Sequence, residues 1–340
     1  MPLTAGDGRL HPLLVALLVT GLALLAWRLV NVLLVAFGGV LVAVLLRHLA
    51  AKLSRWARLP VGAALAAVVL AIVLLGVLFV LSVGPQVAVQ FEQLWRALPR
   101  ALQRFRDFVA QYEWGRDLLA AGGTPHPGAL LSMASGLLGT VFTALTDVIL
   151  VIVLALFLAA DPAPYCGGLL RLVPPARRAR AAEVLDALGS GLWRWILGQS
   201  IAMLAVGMIT AAGLTLLGIP LALALGILAG LLNVIPYLGP ILSGAPAVLI
   251  AFAQSPADAL YTLLLFVFIQ NLEGYVLTPM LQRRAVSIPP ALGILAIVGL
   301  GSLFGLYGVL LATPLLLVVM ILVRMLYVED TLGDRAAGPA

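Results

Sequence analysis

Two acidic side chains, Asp147 and Glu273, fall inside the stretches apolar enough to be read as membrane spans. A carboxylate at membrane depth is costly, and by default it marks a substrate or ion pathway. Around the second one, Gln270, Glu273, Gly274 and Leu277 share a helical face by i, i+3, i+4 and i+7 spacing, with Asn271 beside them. A proton on Glu273 could couple movement of a solute or cation, with Gln270 on the same face and Asp147 as the second coupling candidate. The structural alternatives are a surface pair of Glu273 with Arg283 or Arg284 and, for Asp147, a hydrogen bond between packed helices. Asn233 stands beside a helix break, where backbone groups are already free to meet a solute.

Enzymatic chemistry has no comparable foothold. His11, His48 and His126 lie in different stretches, Cys166 is the single cysteine, and no Ser/His/Asp, HExxH or GxxxxGK[ST] arrangement occurs. No metal site, cofactor site or nucleotide motor is therefore expected, and the chain is read as a non-enzyme.

The elements that carry these residues follow from composition. Hydrophobic residues make up 63% and charged residues 10% of 340, against roughly 45–50% and 25% in soluble chains. With a mean hydropathy of +1.15, the chain has too little polar surface for water and reads as an all-α polytopic membrane protein. Its net charge of +6 does not imply a nucleic-acid partner, because basic loops are what set membrane topology.

A span needs about 20 apolar residues. Residues 10–27 and 29–46 read as a tight pair of spans turning at Trp27-Arg28, which favours a first transmembrane helix over a signal peptide. Spans at 60–84, 137–160, 199–217 and 257–277 follow, and two broken hairpins bring the count to about eight membrane elements. The expected organisation is N-terminal helices over 1–84, an extracytoplasmic amphipathic region over 85–136, and a fourth helix over 137–160. A cytoplasmic amphipathic region over 161–198, a transport core over 199–327 and a tail over 328–340 complete it. Placing the basic connections in the cytoplasm puts 14 Lys/Arg inside and 6 outside, with both termini cytoplasmic.

In the outer region, Phe91, Trp95, Leu98, Leu102, Phe105, Val109 and Tyr112 recur at steps of four and three, a stripe for subunit contact or for packing within the chain. Pro99 is expected to start a new helical segment there. Trp193, Arg194 and Trp195 are read as headgroup anchors.

Residues 219–251 and 288–320 share a plan: each opens with Ile-Pro, crosses an apolar stretch, reaches a Gly-rich break and resumes. Pro246 follows Pro220 by 26 residues, and Pro314 follows Pro289 by 25. Neither arm is long enough for a comfortable span, so each unit reads as a helical hairpin, re-entrant or made of two short spans. The spans before them run in opposite directions, giving possible inverted repeats, a design for alternating access. The expected pathway is lined by Asn233, Pro236, Tyr237, Gly239 and Pro240, facing Gly305, Gly308 and Pro314.

Four motifs, LWRWILGQSI (192–201), LGIPLALALGILAGLLNVIPYLGPILSGAPAVLIA (217–251), QNLEGYVLTPML (270–281) and LFGLYGVLLATPL (303–315), together resemble the signature of the autoinducer-2 exporter family. The resemblance is specific over about 190–318 and one of layout over 1–160. It implies a multi-pass transporter of the cell inner membrane, exporting a small solute such as autoinducer-2 or exchanging sodium or lithium for protons, and forming homo-oligomers in contact with membrane lipids. The matching positions are Gly198, Gln199, Asn233, Pro236, Gly239, Pro240, Gln270, Glu273, Pro279, Gly305, Gly308 and Pro314. After Pro279 this chain reads MLQRRAVSIPP, where members carry a lysine- and glycine-containing stretch and a His-Pro pair. A non-transporting scaffold or assembly factor on a transporter-like fold is the reading from a different class.

Overall fold

The computed structural model describes residues 10–114, 116–117, 147–277 and 288–334, with side chains from residue 29 onward. Arg283, Arg284, Pro279 and the first part of the 137–160 span lie outside the described residues. Among those described, the regular structure is helical throughout. Five helices are long and apolar enough to cross a membrane, and a bent pair makes a sixth if taken as one span. The chain is a multi-pass membrane protein.

Helix α1 runs unbroken over Leu10–Ala57, about 72 Å at 1.5 Å per residue. This corrects the expected pair of spans. Trp27-Arg28 carries neither Gly nor Pro, and a charged residue alone does not end a helix when its backbone bonds can continue. The turn comes instead at Arg58–Pro60, where Arg58 takes φ 54, the Ser54 hydroxyl donates to Leu59 O at 2.7 Å, and Pro60 starts α2, Val61–Ser82.

Helix α3, Gly84–Val109, retains Pro99 inside it. Proline deprives the carbonyl four residues earlier of its partner. Here Trp95 and Pro99 both lie on the exposed side, where water can replace the lost bond, so no new segment begins. Leu94 and Ala101 pack with Leu214, Leu225, Ala247 and Ile250 in one buried cluster. Phe105 and Phe108 meet Phe252 edge-on at 5.3 and 5.2 Å. Much of the stripe is therefore spent within the chain, with its face shifted so that Leu94 is buried and Trp95 is 53% exposed.

Helix α4, Asp147–Ala160, meets α5, Ala163–Arg171, at 83°. Ala155 and Ala159 pack against Ala43, Leu46 and Ala50 of α1 and Ala64, Leu65 and Val68 of α2, and Arg47 donates to Ala159 O at 3.2 Å. Helix α6, Arg178–Leu216, joins the expected inner amphipathic segment and the fifth span in one rod. Trp193 on it stacks on His48 of α1 at 4.8 Å.

The rest of the fold is α7, Ala222–Leu232, α8, Leu238–Phe252, α9, Pro256–Leu272, and α10, Pro290–Leu322. Glycine lets α6 and α7 touch: a Cβ on Gly230 would lie 2.7 Å from Met203 O, and one on Gly226 2.5 Å from the Ala211 Cβ, the small-residue packing typical of membrane helices. Gln254, after α8, donates to Gly218 O at the end of α6 at 3.4 Å. The end of α6 and the start of α9 therefore lie on one side, and these two spans run in opposite directions.

Candidate functional site

The first break has a local cause at each residue. Asn233 closes α7 by donating its N–H to Ala229 O at 3.0 Å, and Ile235 N–H reaches Leu232 O at 3.0 Å. Pro236 supplies no N–H to continue the helix, and Tyr237 turns the chain with φ 66, a conformation that L side chains rarely adopt. Gly239 then passes so close to the Leu232 carbonyl that a Cβ would overlap its oxygen. The freed amide of Gly239 is satisfied by Ile235 O at 2.9 Å. The hairpin is thus a hydrogen-bonded turn rather than a frayed helix.

Three elements converge on Asn233, which is 4% exposed. Its Nδ2 donates to Glu273 Oε1 at 2.9 Å, and Gln199 Nε2 on α6 donates to its backbone oxygen at 2.7 Å. Glu273 begins the π-helical turn Glu273–Leu277 that ends α9; such widened turns re-aim a side chain and recur at functional sites. Beside this group lies a cavity of about 10 Å³, the threshold for one water molecule. Thr210, Ser243, Asn233, Gln270 and Glu273 line it together with Val206, Ala229 and Ile269. The Ser243 hydroxyl donates to Gly239 O at 2.9 Å. The Thr210 hydroxyl is fully buried and has no partner among the described residues.

The second break is at Gly305, with φ 58 and ψ −137. In a straight helix Leu300 and Gly308 would stand about 12 Å apart, but here a Cβ on Gly308 would overlap the Leu300 carbonyl oxygen. The chain therefore folds back, with arms on either side of Gly305. Both hairpins place a glycine just past the turn against the preceding arm's backbone, Gly239 on Leu232 and Gly308 on Leu300. Two residues beyond Gly305, the Tyr307 hydroxyl donates to Asp147 Oδ2. Pro314 is buried in the second arm.

The sequence-derived residues thus separate into groups. Asn233, Pro240, Gln270 and Glu273 come together, with Gln270 at the exposed rim. Asp147 joins the second hairpin instead. Tyr237, at the first tip, does not face Gly305 or Gly308: its ring lies 3.8 Å from where a Gly293 Cβ would stand, at the base of the second hairpin. Thr210, Ser243 and Tyr307 were not singled out by sequence; the first two are hydroxyls within a 63-residue uncharged run, which was the available signal.

The model of the AI-2E family transporters matches residues 13–327. The YueF protein of Bacillus subtilis (strain 168) is 29% identical over 257 residues, covering 70% of this chain and 69% of YueF. YrrI of the same organism is 34% identical over 42% of this chain and 40% of its own length. The AI-2 transport protein TqsA of Escherichia coli (strain K12) is 22% identical over 87% of this chain and 85% of TqsA. A match across that much of the chain, on a fold with two broken hairpins and a carboxylate locked to one of them, establishes that the protein belongs to the AI-2E family of transporters.

Proposed function

We propose that the chain exports a small polar solute through the cell inner membrane by alternating access, with the first hairpin as one gate and Glu273 as the coupling carboxylate. The observation that carries this reading is the Asn233–Glu273 hydrogen bond, which fastens the hairpin break to a carboxylate near the end of the apolar helix Pro256–Leu277. A proton arriving at Glu273, or a solute competing for Asn233, changes the terms of that bond and so biases the gate. Broken helices whose freed ends border a cavity are the recurring way transporters build such sites. The likeness to a protein named for AI-2 transport makes autoinducer-2 the first solute to try.

On this reading the basic connections at 47–58 and 171–194 face the cytoplasm, together with the end of α10. With α1 unbroken, its amino-terminal part lies on the opposite side. A homo-oligomer would use a face other than the part of α3 that packs on the first hairpin.

A second reading, exchange of sodium or lithium for protons, is favoured by the cavity itself. It has room for one water-sized particle, and the residues around it include Thr210, Ser243 and Glu273, whose oxygens are of the type a hard cation takes. Purified protein in liposomes holding an internal pH dye separates the two. A pH change driven by added sodium or lithium supports exchange; a silent dye together with efflux of preloaded autoinducer-2 supports export. Neither signal in tight, correctly loaded vesicles overturns transport of these substrates.

A further inference from the structure

The second hairpin has its own fastening, and it does not involve the Glu273 group. Its second arm is seated along its length: Gly308, Ala312, Pro314, Leu317 and Ile321 are buried. At the far end of that arm, Arg180 of α6 grips the π-helical turn Val323–Glu329, donating to Met325 O at 3.0 Å and Glu329 Oε2 at 2.8 Å. The first arm differs. Between Pro290 and Phe304 only Ile297 is buried, while Leu295, Val298 and Leu303 are 67%, 63% and 52% exposed. The base of the hairpin is anchored, and most of its first arm is exposed.

At the tip the Tyr307 hydroxyl is tethered to Asp147. Residues 285–323 contain no Asp, Glu, Lys or Arg, so the hairpin offers no charged alternative at that end. Asp147 opens α4, whose other end packs on α1 and α2 through Ala155 and Ala159 and is fixed by Arg47 at Ala159. A hydrogen bond to a carboxylate is about twice as strong as a neutral one, and in an apolar setting a lost partner is not readily replaced.

We infer that Tyr307 and Asp147 form a latch that holds the tip of the second hairpin closed, a gate separate from the one held by Asn233 and Glu273. Tyr307 is a positioning residue: it acts through the place of the hairpin rather than on a solute. Two independently latched hairpins, entering from opposite sides, supply the two gates that alternating access requires. The inference shares with the transport reading only the premise that the hairpins move, and its test involves no flux, so its failure leaves that reading standing.

The test measures spin-label distances in lipid nanodiscs, in a Cys166→Ala background. One label pair, at Ile149 on α4 and Leu303 near the tip, reports the second hairpin; a control pair, at Ile241 and Leu264, reports the first. Tyr307→Phe and Asp147→Ala should each raise the population with a longer 149–303 distance by about tenfold, the scale of one charge-assisted hydrogen bond. Asp147→Asn keeps an acceptor oxygen without the charge and should fall between the wild type and Asp147→Ala, and the control pair should not change. An unaltered 149–303 distribution in Tyr307→Phe, or equal shifts in both pairs, overturns the latch.

Discussion

Asn233 and Glu273, 40 positions apart in sequence, share a 2.9 Å hydrogen bond that ties the break between α7 and α8 to the end of α9. Gln199 holds the same asparagine from the other side through its main-chain oxygen. The two contacts use different atoms of Asn233, so they can be removed separately.

A double-mutant cycle of Asn233→Ala and Glu273→Ala should give a coupling between about 0.6 and 1.7 kcal/mol, the average and upper end of such cycles for polar bonds between membrane helices. Gln199→Leu should lower stability whether or not Asn233 is also replaced, because its bond is to the backbone. Unfolding in detergent micelles measures both.

Gly239→Ala and Gly308→Ala each force a methyl group onto a carbonyl of the facing arm, so each should cost about 1–3 kcal/mol or more. Gly189, in α6 with open space around it, is the control. Gly189→Ala should stabilise by up to about 1 kcal/mol through helix propensity alone. Equal unfolding midpoints for all three variants would show that the hairpins are not tightly folded.

Thr210→Val preserves shape and removes a hydroxyl that has no partner among the described residues, so its effect on stability should be about 0.5 kcal/mol or less. Ser243→Ala removes a made bond and should cost about 1 kcal/mol. If the cavity takes a cation, Thr210→Val should nevertheless weaken the sodium or lithium response in liposomes, a split between stability and function that a merely structural threonine would not show.

Arg180 is held above the ordinary arginine range by Glu329, then Glu183 and Asp330. A raised pKa means its stabilising charge is fully present below the ordinary arginine value and is lost only above it, so its own titration should leave stability flat from pH 6 to 9. Arg180→Ala should free the end of α10 to proteolysis, and Arg180→Lys should protect it only in part, because an ammonium cannot reproduce the fork that reaches Met325, Glu329 and Asp330 together. The side chains are partly exposed, so added salt should weaken the grip.

The hairpins were legible in sequence because each apolar run is interrupted, the first by Pro236 close to Gly239 and the second by the Gly-rich stretch around Gly305. Asn233 and Glu273 were each visible as polar residues at depth, but their pairing was not, since no local rule links positions 233 and 273. Tyr307 carries no signal of its own within a Gly-rich stretch, because its partner Asp147 lies on α4, 160 positions earlier. The expected turn at Trp27-Arg28 and break at Pro99 failed for one reason. A charge or a proline marks a helix end only when the backbone bonds it disturbs have nowhere else to go, and neither α1 nor α3 met that condition.

The most direct measurement follows autoinducer-2 flux from liposomes under an imposed pH gradient, for the wild type and Glu273→Gln. Glutamine can still accept from Asn233 but cannot carry a proton. The account predicts wild-type flux that responds to the gradient and a variant whose flux does not. A Glu273→Gln protein with wild-type flux and an unchanged response to the gradient would contradict it.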